Sequence, residues 1–259
     1  MDAPLPTNHL KRALLEGRRQ IGLWVSLSSH VSTEVVAGSG FDWLLIDTEH
    51  SPNDLPIVHS QLQAIASGGT ASAVVRPPWN DAVIFKRLLD IGVQSFLVPF
   101  VQTAEEAARA VAATRYPPEG IRGIATVTRA GRFGRVKNYV NVANREICVI
   151  VQIESRPALD NLEAIAAVEG VDALFIGPSD LAAGLGYAGN SAHPDVRAAI
   201  TEAIRRIRAA GKVAGTLTPH EGDARHWLAE GCLFVGVGSD VGLLARHSEE
   251  LAARFASQE

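Results

Sequence analysis

Two stretches decide the fold: Ile147-Cys148-Val149-Ile150-Val151-Gln152-Ile153-Glu154 and Ala173-Leu174-Phe175-Ile176-Gly177-Pro178-Ser179-Asp180. Each is a short apolar run that closes on an acidic residue. Runs of this length without strict alternation suit parallel strands that are covered on both faces. Two carboxylates at the same end of neighbouring parallel strands converge on one point. A (β/α) barrel builds a site for a hard divalent cation in that way. Taken singly, either acid also suits the cap of the helix after its strand.

Outward from these stretches the same rhythm covers the chain. Strands are expected at 21–27, 41–47, 73–77, 95–100, 147–153, 173–177, 213–217 and 233–237. Helical spacing marks 7–16, 32–39, 53–66, 80–91, 103–115, 156–168, 194–210, 220–230 and 241–255. Eight strands alternating with helices in 259 residues predict the α/β class. The expected architecture is a (β/α)8 TIM barrel forming one domain over residues 1–259. No G-x-G-x-x-G follows the first strand, which argues against an open dinucleotide-binding sheet.

Composition narrows the classes. Apolar residues make up 47% and the net charge is −4, so nothing favours nucleic acid as a partner. No apolar run reaches the length of a membrane span, and residues 1–20 contain no apolar signal-peptide core. Cys148 and Cys232 lie among apolar neighbours and read as buried free thiols of a cytoplasmic protein.

One interval breaks the rhythm. Residues 116–146 separate a helix from the next strand, and Arg115, Arg122, Arg129, Arg132, Arg135 and Arg145 fall in or beside them. An excursion of this length in a compact domain reads as a lid, an inter-subunit loop or a solvated loop. The last helix carries Leu244, Leu251 and Phe255 as a narrow apolar stripe. That stripe suits packing on the barrel or on a neighbouring subunit.

Barrel active sites form at the carboxyl ends of the strands. Those ends offer Asp47-Thr48-Glu49-His50, then Arg76, then Gln152 and Glu154, then Gly177-Pro178-Ser179-Asp180. His50 is one of eight histidines, and its position singles it out. Imidazole titrates near neutrality, so it can take and return a proton there. Arg76 offers a rigid fork of donors to a carboxylate or an enolate, and it also suits an ion pair with Asp47 or Glu49. The turn at Gly177-Pro178-Ser179-Asp180 opens a helix whose N–H groups suit an anionic oxygen. Gly236-Val237-Gly238-Ser239-Asp240 has the look of a phosphate loop and also of a tight turn, so no phosphorylated substrate is inferred. Lys11, Lys86, Lys137 and Lys212 all fall away from the catalytic face. A Schiff base is therefore not expected, and carbanion chemistry here needs a metal as electron sink.

These segments together resemble the metal-dependent pyruvate aldolases of the HpcH/HpaI family. The likeness runs through Gly22-Leu23-Trp24, Gly40-Phe41-Asp42-Trp43-Leu44-Leu45-Ile46-Asp47, Glu49-His50 and Val74-Val75-Arg76-Pro77. It continues in Arg115-Tyr116-Pro117-Pro118, Gly120-Ile121-Arg122-Gly123, Val151-Gln152-Ile153-Glu154 and Phe175-Ile176-Gly177-Pro178-Ser179-Asp180-Leu181. The resemblance implies that Glu154 and Asp180 hold a divalent cation, Mg²⁺ or Mn²⁺ with Co²⁺ as a substitute. It implies His50 as catalytic base and Arg76 as enolate stabiliser. Gln152, Ser179 and Asp180 would contact the substrate. Asp90, which by itself reads as a helix-end cap, matches a family aspartate that works with the histidine through water. The implied reaction is reversible cleavage of 4-hydroxy-2-oxo acids, such as 4-hydroxy-2-oxoheptanedioate, in aromatic catabolism. The products would be pyruvate, or hydroxypyruvate, and an aldehyde. Oxaloacetate decarboxylation and simple 2-oxo acid binding are the rival readings. The implied assembly is a homohexamer, a trimer of dimers that exchange the last helix. Two positions depart from the close relatives: Thr48, where glycine is usual, and the loop Thr126-Val127-Thr128-Arg129.

Overall fold

The computed structural model describes residues 2–256. In chain order its elements are α1 (His9–Leu15), β1 (Gln20–Val25), α2 (His30–Ala37), β2 (Trp43–Asp47), α3 (Leu55–Gly68) and β3 (Ser72–Arg76). Then come α4 (Ala82–Asp90), β4 (Ser95–Val98), α5 (Ala104–Thr114), α6 (Tyr139–Val142) with a 3₁₀ turn (Ala143–Glu146), and β5 (Cys148–Ile153). The chain continues through α7 (Arg156–Asp160), α8 (Leu162–Ala166), β6 (Ala173–Ile176), α9 (Pro178–Gly184) and α10 (Pro194–Ala209). It finishes with β7 (Val213–Leu217), α11 (Glu221–Ala229), β8 (Phe234–Ser239) and α12 (Asp240–Ala253). All eight strands pair in parallel in sequence order, and β1 also pairs with β8. The sheet is a closed (β/α)8 barrel.

Side chains of alternate strand residues fill the barrel interior: Trp24, Trp43, Leu45, Val74, Leu97, Cys148, Ile150, Phe175 and Phe234. The intervening residues, such as Leu44, Ile46, Val75, Val149, Val151, Leu174 and Ile176, pack outward under the helices. Aromatic rings fit inside because glycines face them. A Cβ at Gly22 would collide with the Trp43 ring, and one at Gly236 would stand 2.5 Å from Trp24. Trp43 stacks on Phe234 with ring centroids 4.1 Å apart. Leu10 and Leu14 of α1 close this core from the amino ends of the strands. Truncating a fully buried ring such as Trp43 to alanine costs about 3–5 kcal/mol.

One expectation needs correction, and two open alternatives are narrowed. The helix expected at 156–168 is two short helices, because Asn161 leaves the helical conformation at their junction and its amide donates to Gln102 O at 2.9 Å. Residues 116–146 are no lid over this chain's catalytic face. They fold under the barrel, where Arg129 donates to Ile91 O at 2.7 Å and Arg135 O accepts from Ala3 N–H. The apolar stripe of α12 does not pack on its own barrel: Leu244 is 59% exposed, Leu251 52% and Phe255 81%.

Candidate active site

The interior-facing series of each strand is apolar through the barrel and turns polar at the carboxyl end. Trp43 and Leu45 lead to Asp47, Val74 leads to Arg76, Cys148 and Ile150 lead to Gln152 and Glu154, and Phe175 leads to Gly177. The site is therefore the polar top of a packed core, and its walls are rigid strands.

Asp47 and Arg76 are register partners across the β2–β3 ladder. Arg76 Nε donates to Asp47 Oδ1 at 2.9 Å and Nη2 to Oδ2 at 2.7 Å, while Nη1 lies 3.1 Å from Glu49 Oε2. Both partners are buried, and the fork geometry fixes the guanidinium plane. The ion pair expected between Arg76 and the acids after β2 is thus present, and it holds the guanidinium beside Glu49. Asp47 Oδ1 also accepts from the Glu49 amide at 3.0 Å. The unusual Thr48 has a local reason: its hydroxyl donates to Arg76 O at 2.6 Å, as its amide does at 3.0 Å. These contacts tie the loop after β2 to the end of β3.

Glu154 is 3% exposed. Its Oε1 accepts from the Phe100 amide at 2.8 Å, and its Oε2 accepts from the Gln152 side chain. Phe100 supplies that amide from a left-handed backbone, φ 55°, which a bulky residue adopts only under outside constraint. Gly177 leaves room for the carboxylate, since a Cβ there would stand 2.5 Å from Glu154 Oε2. Burial pushes the Glu154 carboxyl up to about 7; the Phe100 hydrogen bond opposes this, and the neighbouring Glu49 and Asp180 charges add to it. Glu49 is also raised, by burial first, with Arg76 opposing and Asp47 and Asp180 reinforcing.

Asp180 is exposed in the first turn of α9, where the helix N-terminus favours a negative charge. Ser179 is exposed beside it. His50 sits at the rim with its side chain 63% exposed, and its Nε2 lies 3.7 Å from Glu49 Oε2. The structure therefore brings together Arg76, Gln152, Glu154 and Asp180 and places His50 at their edge.

Asp90 is the exception. It ends α4, which runs back from the carboxyl end of β3 to the amino end of β4, so it lies at the opposite pole. There it faces Arg122 Nη2 at 3.2 Å. Within one chain it does not reach His50. Sequence reasoning missed two contributors, the Phe100 amide and the space left by Gly177; Glu49 was expected beside Arg76, and it lies near both Arg76 and His50. The strand-end rule carried a signal for Glu49, since it lies two residues past β2. Nothing in the sequence carried one for the Phe100 backbone.

The charge balance suits a hard cation. Asp47, Glu49, Glu154 and Asp180 surround one guanidinium, and that guanidinium is already held by Asp47 and Glu49. Gln152 Oε1 is buried without a hydrogen-bond partner. All available donors are oxygens, as Mg²⁺ and Mn²⁺ require. Among the described residues no group of three or more His, Cys, Asp or Glu is placed to hold a metal. A cation held by two carboxylates there would keep positions open for substrate and water.

A closed barrel with a carboxylate-rich, arginine-anchored site at the strand carboxyl ends defines an enzyme of the (β/α)8 class. Residues 20–247 match the HpcH/HpaI aldolase/citrate lyase family. The chain belongs to that family. It is 57% identical to a pyruvate aldolase of Rhizobium etli over 98% of this chain and 99% of that protein. It is 56% identical to a 4-hydroxy-2-oxo-heptane-1,7-dioate aldolase of Escherichia coli over 97% of this chain and 96% of that protein. The crystal structure of an HpcH/HpaI aldolase/citrate lyase family protein from Burkholderia cenocepacia superimposes with a TM-score of 0.94. That match has 40% identity and covers 97% of this chain and all of the other.

Proposed function

We propose that this protein is an aldolase that reversibly cleaves 4-hydroxy-2-oxo acids, with 4-hydroxy-2-oxoheptanedioate as the model substrate, to pyruvate and an aldehyde. One observation carries the reading: the acidic strand-end cluster around Arg76, in a chain of this family. Glu154 and Asp180 are the residues that would hold a divalent cation, Mg²⁺, Mn²⁺ or Co²⁺. When bound, such a cation supplies a Lewis acid that polarises the substrate ketone and stabilises enolate charge.

The chain's own residues supply the rest. The substrate carboxylate and keto oxygen lie toward Arg76, Gln152 and the α9 N-terminus at Ser179 and Asp180. His50 accepts the proton of the 4-hydroxyl, directly or through water. The C3–C4 bond breaks as the aldehyde carbonyl forms at C4, and its electron pair becomes the C2–C3 double bond of pyruvate enolate. Arg76, held in plane by Asp47 and Glu49, places positive charge where the enolate oxygen develops. His50 then returns that proton at C3, directly or through water, which gives the methyl group of pyruvate and leaves the imidazole neutral for the next cycle. Synthesis runs these steps in reverse, and hydroxypyruvate would enter as the same 2-oxo acid unit.

Decarboxylation of oxaloacetate passes through the same enolate without a base, so it should survive loss of His50. Measuring both reactions on His50→Ala separates them: aldol cleavage falls and decarboxylation persists. Equal loss of both would reduce His50 to a residue that shapes the site, and a protein that binds pyruvate without turnover of either kind would overturn the assignment.

The partner we infer is a further copy of this chain. The exposed stripe of α12 fits exchange with a neighbour, and a hexamer of exchanged dimers is the expected assembly. Asp90 can act with His50 only across two copies. Mixing inactive Asp90→Asn and His50→Ala chains should then restore activity through the hybrid sites. No recovery in confirmed mixed assemblies would remove Asp90 from the reaction. No described helix is long and apolar enough to cross a membrane.

A further inference from the structure

A cavity of about 1040 Å³ opens at the amino ends of the strands, at the pole opposite the acidic site of the same chain. The first residues of β1, β3 and β4 border it, together with the N-terminal segment and the arginine loop. Its wall carries Arg18, Arg129, Arg132 and Arg135, and its apolar side includes Leu62 and Ile65. Asp42 also borders it, and Asp42 Oδ2 accepts from Ile21 N–H at 2.7 Å.

The arginines are poorly balanced by acids. Among the described residues Arg18 pairs with the exposed Glu16 alone. Among the described residues Arg129, Arg132 and Arg135 form no ion pair with a carboxylate. Arg129 is half-buried, and burial alone lowers its proton affinity, with no anion to offset it. Its Nη1 donates to Ile91 O at the end of α4, which leaves the rest of the fork free to face the cavity. Gly92 lets it approach, because a Cβ there would stand 2.8 Å from Nη1. The loop is also tied to the N-terminal segment through Ala3 N–H on Arg135 O at 2.9 Å. A guanidinium cluster of this kind favours a planar or tetrahedral oxyanion. The apolar side favours a hydrocarbon body, and a cavity of this volume suits a small organic molecule.

We propose that this cavity binds a small organic anion, with a carboxylate or phosphate head on the arginines and an apolar body along Leu62 and Ile65. Within one chain the site lies at the opposite pole from the acidic cluster, and its ligand contacts none of that cluster's residues.

The test is titration calorimetry on the assembled full-length protein, in excess chelator and at constant ionic strength, with benzoate, phenyl phosphate and inorganic phosphate. Benzoate against phenyl phosphate tells which head is preferred. Saturable binding of at least one organic anion is expected, about tenfold or more tighter than inorganic phosphate because the ring is buried. Arg132→Ser with Arg135→Ser should weaken it about tenfold or more, as these exposed side chains are not needed for folding. Arg76→Lys should leave it unchanged. A hundredfold excess of ligand over its Kd should raise the melting temperature by about 5 °C. No saturable binding, binding indifferent to the Arg132/Arg135 pair, or binding lost in Arg76→Lys would each overturn the proposal.

Discussion

The two ends of this barrel carry opposite chemistry on one scaffold. At the carboxyl ends of the strands, Asp47, Glu49, Glu154 and Asp180 crowd one guanidinium. At the amino ends, Arg129, Arg132 and Arg135 border a cavity and, among the described residues, pair with no carboxylate. The core between them is apolar and buried, so the two charge sets sit at opposite poles and do not pair within the chain. Each end is left with a surplus, and the surplus sets the ligand. The acidic end suits a divalent cation and a 2-oxo acid, and the basic end suits an anion. Asp47 and Glu154 stand at or next to strand ends, with Glu49 and Asp180 in the segments that follow, and the arginines lie on a long loop, which makes the acidic end the more precisely built.

The widest separation between the ends should appear in activity. Glu154→Gln or Asp180→Asn should lower cation-dependent aldol cleavage by about a thousandfold or more, with the circular dichroism spectrum unchanged. Retained turnover would dissolve the acidic half of the contrast. Arg76→Lys should cost about a hundredfold in kcat/KM, since a point charge cannot replace a bidentate fork in its plane. Near-normal kinetics would leave Arg76 a structural partner of Asp47.

A smaller effect tests the fit at Glu154. The Cβ of Gly177→Ala would press on the Glu154 carboxylate and on Gln152 Nε2, 3.1 Å away. Activity should fall about tenfold, since small misplacements of a positioned group are costly. An unchanged rate would show that the carboxylate shifts without consequence.

Glu154 also predicts a pH effect on stability in the absence of divalent cations. Its folded value of about 7 lies above the ordinary 4.5, so the folded state holds the proton more tightly. The stabilisation is complete below about 4.5 and is lost as pH rises through 7, a change of about 3 kcal/mol at most. Unfolding titrations at pH 5 and pH 8 should show that loss, Mg²⁺ or Mn²⁺ should reverse it at pH 8, and Glu154→Gln should flatten it. Identical pH slopes for wild type and Glu154→Gln would contradict the charge crowding. The smallest effect belongs to the other end: Arg132→Ser should keep kcat/KM within about twofold, because no part of the acidic site rests on it.

The sequence made the strands legible because a buried parallel strand has a strong signature, a short apolar run between turn residues. All eight lie within a few residues of their expected positions. The site followed from them, since Asp47, Arg76, Glu154 and Asp180 stand at or just past strand ends. Loops carry no period. Residues 116–146 link a helix to the next strand, so the element order already implied the amino pole, where the structure puts them; their path within that pole was not legible. Asp90 was legible as a helix end, and it ends α4; what another copy of the chain brings against it is not written in a local pattern. The left-handed Phe100 backbone and the fit of Gly177 against Glu154 arise from contacts between distant segments, and no local pattern encodes them. The exposed stripe of α12 was visible as a stripe, but its partner was not.

The central claim is that the acidic end of the barrel forms the enolate of pyruvate. The direct measurement is exchange of the pyruvate methyl protons in deuterated water, with Mg²⁺ or Mn²⁺ and with excess chelator, for wild type, Glu154→Gln and His50→Ala. The account predicts exchange in wild type that requires the cation and is lost in both variants. Exchange that persists in chelator, or no exchange with any cation while pyruvate still binds, would contradict it.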